Sequence, residues 1–260
     1  MSFRSAGFRP TVLGSALALV LALSASAVMA QDAKPETATP AAVSTAATPA
    51  GAATAAAPAP AATAAAAKPG DATAGQAKAA VCGACHGMDG NSTNAQFPKL
   101  AGQSEQYIVR QLTSFKAAKR QNPIMMGMAA PLSEQDMHDL GAYFASKTAL
   151  PGVADQALVE RGQTLFRQGD AARGIPACMA CHSIDGRGNP GAMYPQLASQ
   201  HAQYIEATLK AWHDGTTWGD DARAQVMPAI AKQLSADDIA ALASYIEGLH
   251  SADSQPASAP

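Results

Sequence analysis

Cys82-Gly83-Ala84-Cys85-His86 is matched further along the chain by Cys178-Met179-Ala180-Cys181-His182. At this spacing one turn of helix presents two thiols side by side, and an imidazole follows directly after the second. That arrangement forms two thioether bonds to a haem and supplies a histidine to its iron. Three other readings compete: a thioredoxin-like redox pair, half of a zinc site, and two buried structural cysteines beside a satisfied histidine. A redox CxxC has no need of the histidine, and a zinc site needs a further Cys or His pair at ligand spacing. The chain has four cysteines and the two motifs contain all of them. Each pentapeptide therefore reads as one covalent haem c site, with Cys82, Cys85, Cys178 and Cys181 as attachment points and His86 and His182 as iron ligands.

The two motif histidines stand 96 positions apart in a chain of 260 residues, which favours two small domains over one large one. A domain of about 80 to 100 residues has a marginal core, and a buried haem supplies the missing apolar mass. The formal net charge of −2, with no basic run and no P-loop, gives no sign of a nucleic-acid partner.

Arg4 and Arg9 precede an apolar run from Val12 to Leu23, and Val28-Met29-Ala30 offers small residues for cleavage. Residues 1–30 therefore read as a secretory signal peptide, with Ala25-Ser26-Ala27 as a nearby alternative cleavage site and an uncleaved anchor as the competing reading. Export fits the cysteines, because haem attachment to such thiols belongs outside the bacterial cytoplasm. Residues 31–69 are almost wholly Ala, Pro and Thr, with prolines at 35, 40, 49, 58 and 60 interrupting the alanine runs. Nothing there can offset the entropy of ordering, so the expectation is a disordered linker.

An internal repeat begins near Gly70. Phe97-Pro98-Lys99-Leu100-Ala101-Gly102-Gln103 matches Tyr194-Pro195-Gln196-Leu197-Ala198-Ser199-Gln200 at an offset of 97, and Leu132-Ser133 through Tyr143 matches Leu234-Ser235 through Tyr245 at 102. The second copy therefore carries five extra residues in between. The periodicity is helical: Ile108, Leu112 and Phe115 repeat as Ile205, Leu209 and Trp212. The last helix of each copy opens with a capping box, Ser133 with Asp136 and Ser235 with Asp238, then presents Met137, Leu140 and Phe144, or Ile239, Leu242 and Ile246, to a core. Gly75 and Gly162 lie in the helices preceding each motif. They allow a close crossing with the last helix or mark a helix irregularity. The expected domains span residues 70–150 and 151–250, joined through Pro151-Gly152, with a disordered tail over 251–260.

One histidine leaves an axial position of the iron to fill, and its occupant separates electron carrier from catalyst. The first copy offers Met125, Met126 and Met128; the matching region of the second holds only Met227, eight residues before the capping Ser235. Eight residues before Ser133 stands Met125. Met125 and Met227, expected in loops ahead of the matched helices, are thus the candidate ligands over a purely packing role. A soft thioether favours ferrous iron and leaves no open site for substrate, the ligand set of a one-electron carrier. Pro98 and Pro195 offer carbonyls that either orient the histidine Nδ1 or merely shape a turn.

The paired CxxCH motifs, the FPKLAGQ and YPQLASQ loops and the registered methionines together resemble the dihaem cytochrome c4 family over about residues 70–250. The resemblance implies an all-α fold of two tandem class I cytochrome c domains related by pseudo-twofold symmetry, with the haem propionates near the domain interface. It implies two haem c groups and their iron, ligated by His86 with Met125 and His182 with Met227. It also implies a non-enzymatic periplasmic carrier between the bc1 complex side of respiration and a haem-copper terminal oxidase. The long Ala/Pro segment departs from the compact family pattern and leaves room for peripheral or tethered membrane association. A dihaem cytochrome c peroxidase needs a vacant or displaceable ligand on one haem, which matched methionines oppose; a cytochrome subunit fixed in a respiratory complex stays open. The spare histidines, His138, His201, His213 and His250, have no counterpart in the other copy and read as surface or supporting groups.

Charge divides unevenly. Residues 70–150 hold seven Lys or Arg against six Asp or Glu, while 151–250 hold seven against eleven. An acidic docking face on the second domain, built from Asp220, Asp221, Asp237 and Asp238, is the sharper reading; an ordinary solvated surface is the other.

Overall fold

The protein is described from a computed structural model covering residues 67–250. The expected signal peptide, all but the last three residues of the expected linker, and the expected tail lie outside the described residues. Lys68 is already ordered, exchanging hydrogen bonds with the side chain of Gln135 at 2.9 and 3.3 Å.

Among the described residues the named elements are all helical, and one order of helices occurs twice. The N-terminal domain has α1 (Ala72–Lys78), α2 (Ala80–His86), α3 (Glu105–Lys116), α4 (Pro123–Ala129) and α5 (Glu134–Ala145). The C-terminal domain has α6 (Gln156–Gln168), α7 (Met179–His182), α8 (Ala202–His213), α9 (Val226–Ala231) and α10 (Ala236–Gly248). In each, the first and last helices pack together, and the long middle helix packs on the last.

Both capping boxes form as their sequences require, Ser133 with Asp136 and Ser235 with Asp238. The apolar faces of α5 and α10 are buried at Met137, Leu140 and Phe144, and at Ile239, Leu242 and Ile246. Leu112 and Trp212 pack on these cores while staying partly exposed. Gly75 and Gly162 are close-crossing glycines: a Cβ on Gly75 would stand 2.0 Å from the Asp139 carbonyl oxygen of α5, and one on Gly162 would stand 2.3 Å from that of Ala241 in α10.

The two crossings are pinned by different ion pairs. Asp139 is buried, yet Lys78 Nζ donates to it at 2.5 Å, and the Asp71 backbone N–H and Gln135 Nε2 each donate at 3.0 Å. The lysine contact dominates and holds the Asp139 carboxyl at about 2. In the C-terminal domain the fully buried Asp238 takes Arg161 at 2.7 Å and Arg173 at 2.6 Å. Burial alone would raise its pKa; the arginine and Ser235 hydrogen bonds outweigh it and hold the carboxyl well below the usual range.

A depressed carboxyl stabilises the fold fully above its unfolded value, near 3.9, and loses that contribution as pH falls through the folded value. The stability gap between the parent and Asp139→Asn, from urea unfolding at several pH values, is therefore expected to be constant above about pH 5 and to close towards pH 2. A gap independent of pH across that window overturns this account.

The domains meet through contacts that repeat with the partners exchanged. Gln103 bonds the backbone of Gln196, and Gln200 bonds the backbone of Lys99, the residue equivalent to Gln196. Such reciprocity is the signature of an isologous interface and of pseudo-twofold symmetry between the domains. The five extra residues of the second copy fall between α8 and α9 and break this symmetry. Their loop brings Trp218 to 3.3 Å from the Arg120 guanidinium, Asp220 to 2.9 Å from Lys119 and Asp221 to 3.1 Å from Arg110, all three in the N-terminal domain. The connecting segment is held from both sides, with Leu150 N–H donating to Asn91 Oδ1 at 2.8 Å and Gly152 N–H donating to the Glu247 carbonyl at 3.1 Å.

Candidate haem sites

Each CxxCH lies on a short helix ended by a residue with positive φ, Gly87 at +79° and Ser183 at +69°. This reverses the chain beneath the histidine. The strain is natural for glycine and costs a serine about 1 kcal/mol or more, which the Ser183 Oγ bond to the Gly188 carbonyl at 2.7 Å helps offset. The carbonyls of Gly90 and Gly186 then each accept two N–H groups, from Leu100 and Ala101 and from Leu197 and Ala198. These bonds bring the matched loops, 97–103 and 194–200, up to the histidines.

There His86 Nδ1 donates to the Pro98 carbonyl at 2.8 Å and His182 Nδ1 to the Pro195 carbonyl at 2.9 Å. The two prolines thus orient the histidines, beyond shaping a turn. Phe97 and Tyr194 add ring contacts at 6.2 and 6.0 Å between centroids. Both histidines are buried, and burial lowers their pKa against the opposing pull of the proline carbonyls. The result in each domain is a neutral imidazole with its proton fixed on Nδ1 and the Nε2 lone pair left to bind a metal.

No disulfide joins the four cysteines. Burial pushes Cys82 up and Cys178 up to about 11, so neither resembles the activated thiolate of a redox CxxC. Among the described residues no three His, Cys, Asp or Glu side chains cluster as a metal site, which removes the zinc reading there. In both domains the paired cysteines beside a buried, directed imidazole fit a thioether-linked haem.

Met125 and Met227 stand in the first turns of α4 and α9, where the sequence reading expects loops. Local caps account for the difference. Asn122 Oδ1 accepts from the Met125 N–H itself at 3.0 Å with Pro123 opening the helix, whereas Asp221 caps a 3₁₀ turn, Ala222–Gln225, that runs into α9. Met125 and Met126 are both half-buried and Met128 is exposed, while Met227 packs against the C-terminal core.

The spare histidines serve the protein itself. His138 pairs with Glu105 at 2.6 Å, His213 with Asp214 at 3.0 Å, and His250 Nδ1 donates to the Gly248 carbonyl at 3.0 Å. His201 occupies the position of the α3 cap Ser104 but makes no cap bond; its Nε2 reaches across to Ser92 of the N-terminal domain, 2.8 Å from the carbonyl.

Of the four acidic residues expected at a docking face, Asp238 is buried between Arg161 and Arg173 and cannot serve one, whereas Asp220, Asp221 and Asp237 stay exposed, the first two in ion pairs with Lys119 and Arg110 of the N-terminal domain. Counting charges cannot tell a docking carboxylate from one that holds two helices or two domains together. Asn122 and Asp221 were also missed as supports for the methionines, although a capping residue shortly ahead of each was the available signal.

Two thiol-bearing helices, each in its own five-helix domain, define a dihaem c-type cytochrome with two covalently attached haem c groups. The cytochrome c family model matches residues 67–147 and 159–250. Cytochrome c4 of Pseudomonas aeruginosa is 51% identical over 181 residues, 70% of this chain and 90% of that protein. The crystal structure of reduced recombinant cytochrome c4 from Pseudomonas stutzeri superposes with a TM-score of 0.67 at 46% identity, covering 70% of this chain and all of that one. A thiosulfate dehydrogenase electron acceptor of Thiomonas intermedia is 41% identical over 152 residues, 56% of this chain and 69% of that protein. The chain belongs to the cytochrome c4 family of dihaem electron carriers.

Proposed function

We propose that this cytochrome is a periplasmic one-electron carrier that takes electrons from the bc1 complex side of respiration and delivers them to a haem-copper terminal oxidase. Its irons are held by His86 with Met125 and by His182 with Met227. The observation that supports this reading most is the duplication of a complete ligand set: each domain pairs an Nδ1-anchored neutral histidine with a methionine at the same register before the capping serine. Bound there, haem supplies a reversible one-electron couple, and a thioether on its far side raises the potential and excludes substrate. A peroxidase would need one of those positions open. The signal-like N-terminus supports a location outside the cytoplasm, and no helix among the described residues is long and apolar enough to cross a membrane. The Ala/Pro segment would tether it to the membrane wherever the signal stays uncleaved.

The kinship to a thiosulfate dehydrogenase electron acceptor favours a second reading, in which the donor is a dehydrogenase of that kind. Stopped-flow reduction of the holoprotein by a purified bc1 complex and by thiosulfate dehydrogenase, followed by oxidation by a haem-copper oxidase, separates the two. Fast reduction by the bc1 complex and fast turnover by the oxidase are expected. Reduction by the dehydrogenase alone overturns the respiratory route in favour of the second reading.

A further inference from the structure

The two glutamines that close the matched loops, Gln103 and Gln200, are both buried and both face the opposite domain. Gln200 Oε1 accepts the Lys99 N–H at 2.8 Å and its Nε2 donates to the Lys99 carbonyl at 3.0 Å. Gln103 Oε1 accepts the Gln196 N–H at 3.0 Å and its Nε2 donates to the Gln196 carbonyl at 3.1 Å. Each Oε1 also accepts the N–H of the next residue, Ser104 at 3.2 Å or His201 at 3.1 Å. Donor and acceptor partners on both sides fix each amide in one orientation.

The Lys99 N–H and the Pro98 carbonyl belong to one peptide group, as do the Gln196 N–H and the Pro195 carbonyl. A continuous chain of hydrogen bonds therefore runs from His86 Nδ1–H to the Pro98 carbonyl, through that peptide to the Lys99 N–H, and on to Gln200 of the other domain. The mirror chain runs from His182 through the Pro195–Gln196 peptide to Gln103. An acceptor on a peptide N–H polarises the peptide and makes its carbonyl a stronger acceptor in turn, by roughly 10–30% per bond. A stronger carbonyl acceptor draws the Nδ1 proton away from the ring and makes Nε2 the better donor, which favours the ferric state.

We propose that Gln103 and Gln200 are positioning residues acting across the domain boundary, each fixing and polarising the peptide that holds the Nδ1 proton of the other domain's CxxCH histidine. The proposal rests on the reading that His86 and His182 are iron ligands. It makes each domain's redox poise depend on a side chain of its neighbour, so the interface is part of both sites.

The test uses the oxidised holoprotein and the near-isosteric variants Gln200→Met and Gln103→Met. Potentiometric titration with the two haems resolved by their hyperfine-shifted NMR signals reads each domain separately. Gln200→Met should shift the ferrous-to-ferric ratio of the N-terminal haem about threefold towards ferrous, about 30 mV for a one-electron couple, with a much smaller change at the C-terminal haem. Gln103→Met should do the converse. Amide exchange gives a second readout: the Lys99 N–H should lose protection in Gln200→Met and the Gln196 N–H in Gln103→Met. His201→Gln, which disturbs the contact with Ser92 but touches neither peptide, should leave both ratios within error. A shift confined to the variant's own domain, equal shifts in both haems, an equal effect from His201→Gln, or no shift despite lost amide protection overturns the proposal. Should the Met variants not fold, Gln200→Glu keeps a stronger acceptor on the Lys99 N–H and must move the N-terminal haem more than the C-terminal one, towards ferric; the opposite sign is equally fatal. A parent spectrum without histidine ligation would instead refute the ligand reading itself, before any variant is compared.

Discussion

Replacing Met125 by alanine is expected to remove half of the weak ferric absorption that sulfur ligation gives near the red end of the visible spectrum, and Met227→Ala the other half. Each variant should lower the potential of its own haem by about 0.1 to 0.3 V, a fraction of the roughly 0.8 V over which axial ligands move haem couples. The N-terminal domain makes this a real discrimination, because Met125 and Met126 are half-buried neighbours on one short helix. Two features single out Met125: its register with Met227, eight residues before the capping serine in each copy, and the Asn122 cap on its own N–H at 3.0 Å. Met126→Ala and Met128→Ala should leave the band and the potential in place. If either abolishes the band while Met125→Ala spares it, the register argument fails. Asn122→Ala should keep the band but weaken the helix start by about 1 kcal/mol.

How much of this was legible beforehand depended on whether a residue's partner lies nearby in sequence. The capping boxes, the helical faces of α5 and α10 and the CxxCH turns involve residues one to seven positions apart, and the structure returns them as read. The duplication extended this reach, since two copies of one fold compare themselves, which is how Met125 was chosen among three methionines. It could not show which way an interface residue faces. Gln103 and Gln200 were visible as repeated letters ending FPKLAGQ and YPQLASQ, yet nothing local says that each crosses to the other domain. The same limit explains the acidic residues. Asp220 and Asp221 look like free surface charge until the five-residue insertion that carries them is folded onto Lys119 and Arg110. His201 is the converse case: where the first copy keeps the helix-capping Ser104, the second has exchanged a local bond for one across the interface to Ser92.

Adding one methyl group at Gly75 or Gly162 is expected to force the first and last helices of its domain apart. The added carbon would stand 2.0 Å from the Asp139 carbonyl oxygen and 2.8 Å from Tyr143 Cβ in the first case, and 2.3 Å from the Ala241 oxygen and 2.5 Å from Tyr245 Cβ in the second. These obstacles are main-chain and Cβ atoms of the last helix, so no rotamer change clears them, and the helices must separate. Overpacking a well-filled core costs about 1 to 3 kcal/mol and occasionally more. Here the separation also stretches the Lys78 bond to Asp139 in one domain and the Arg161 bond to Asp238 in the other. Alanine's better helix propensity returns only about 1 kcal/mol. Overpacking less that return, with the weakened ion pair added, gives an expected net loss of about 1 to 3 kcal/mol for Gly75→Ala and for Gly162→Ala, a sizeable share of the roughly 5–15 kcal/mol that holds a domain together. Urea unfolding of the oxidised holoprotein, followed by far-ultraviolet circular dichroism, measures it, and a loss below about 1 kcal/mol at either position would mean that the crossing there tolerates a side chain.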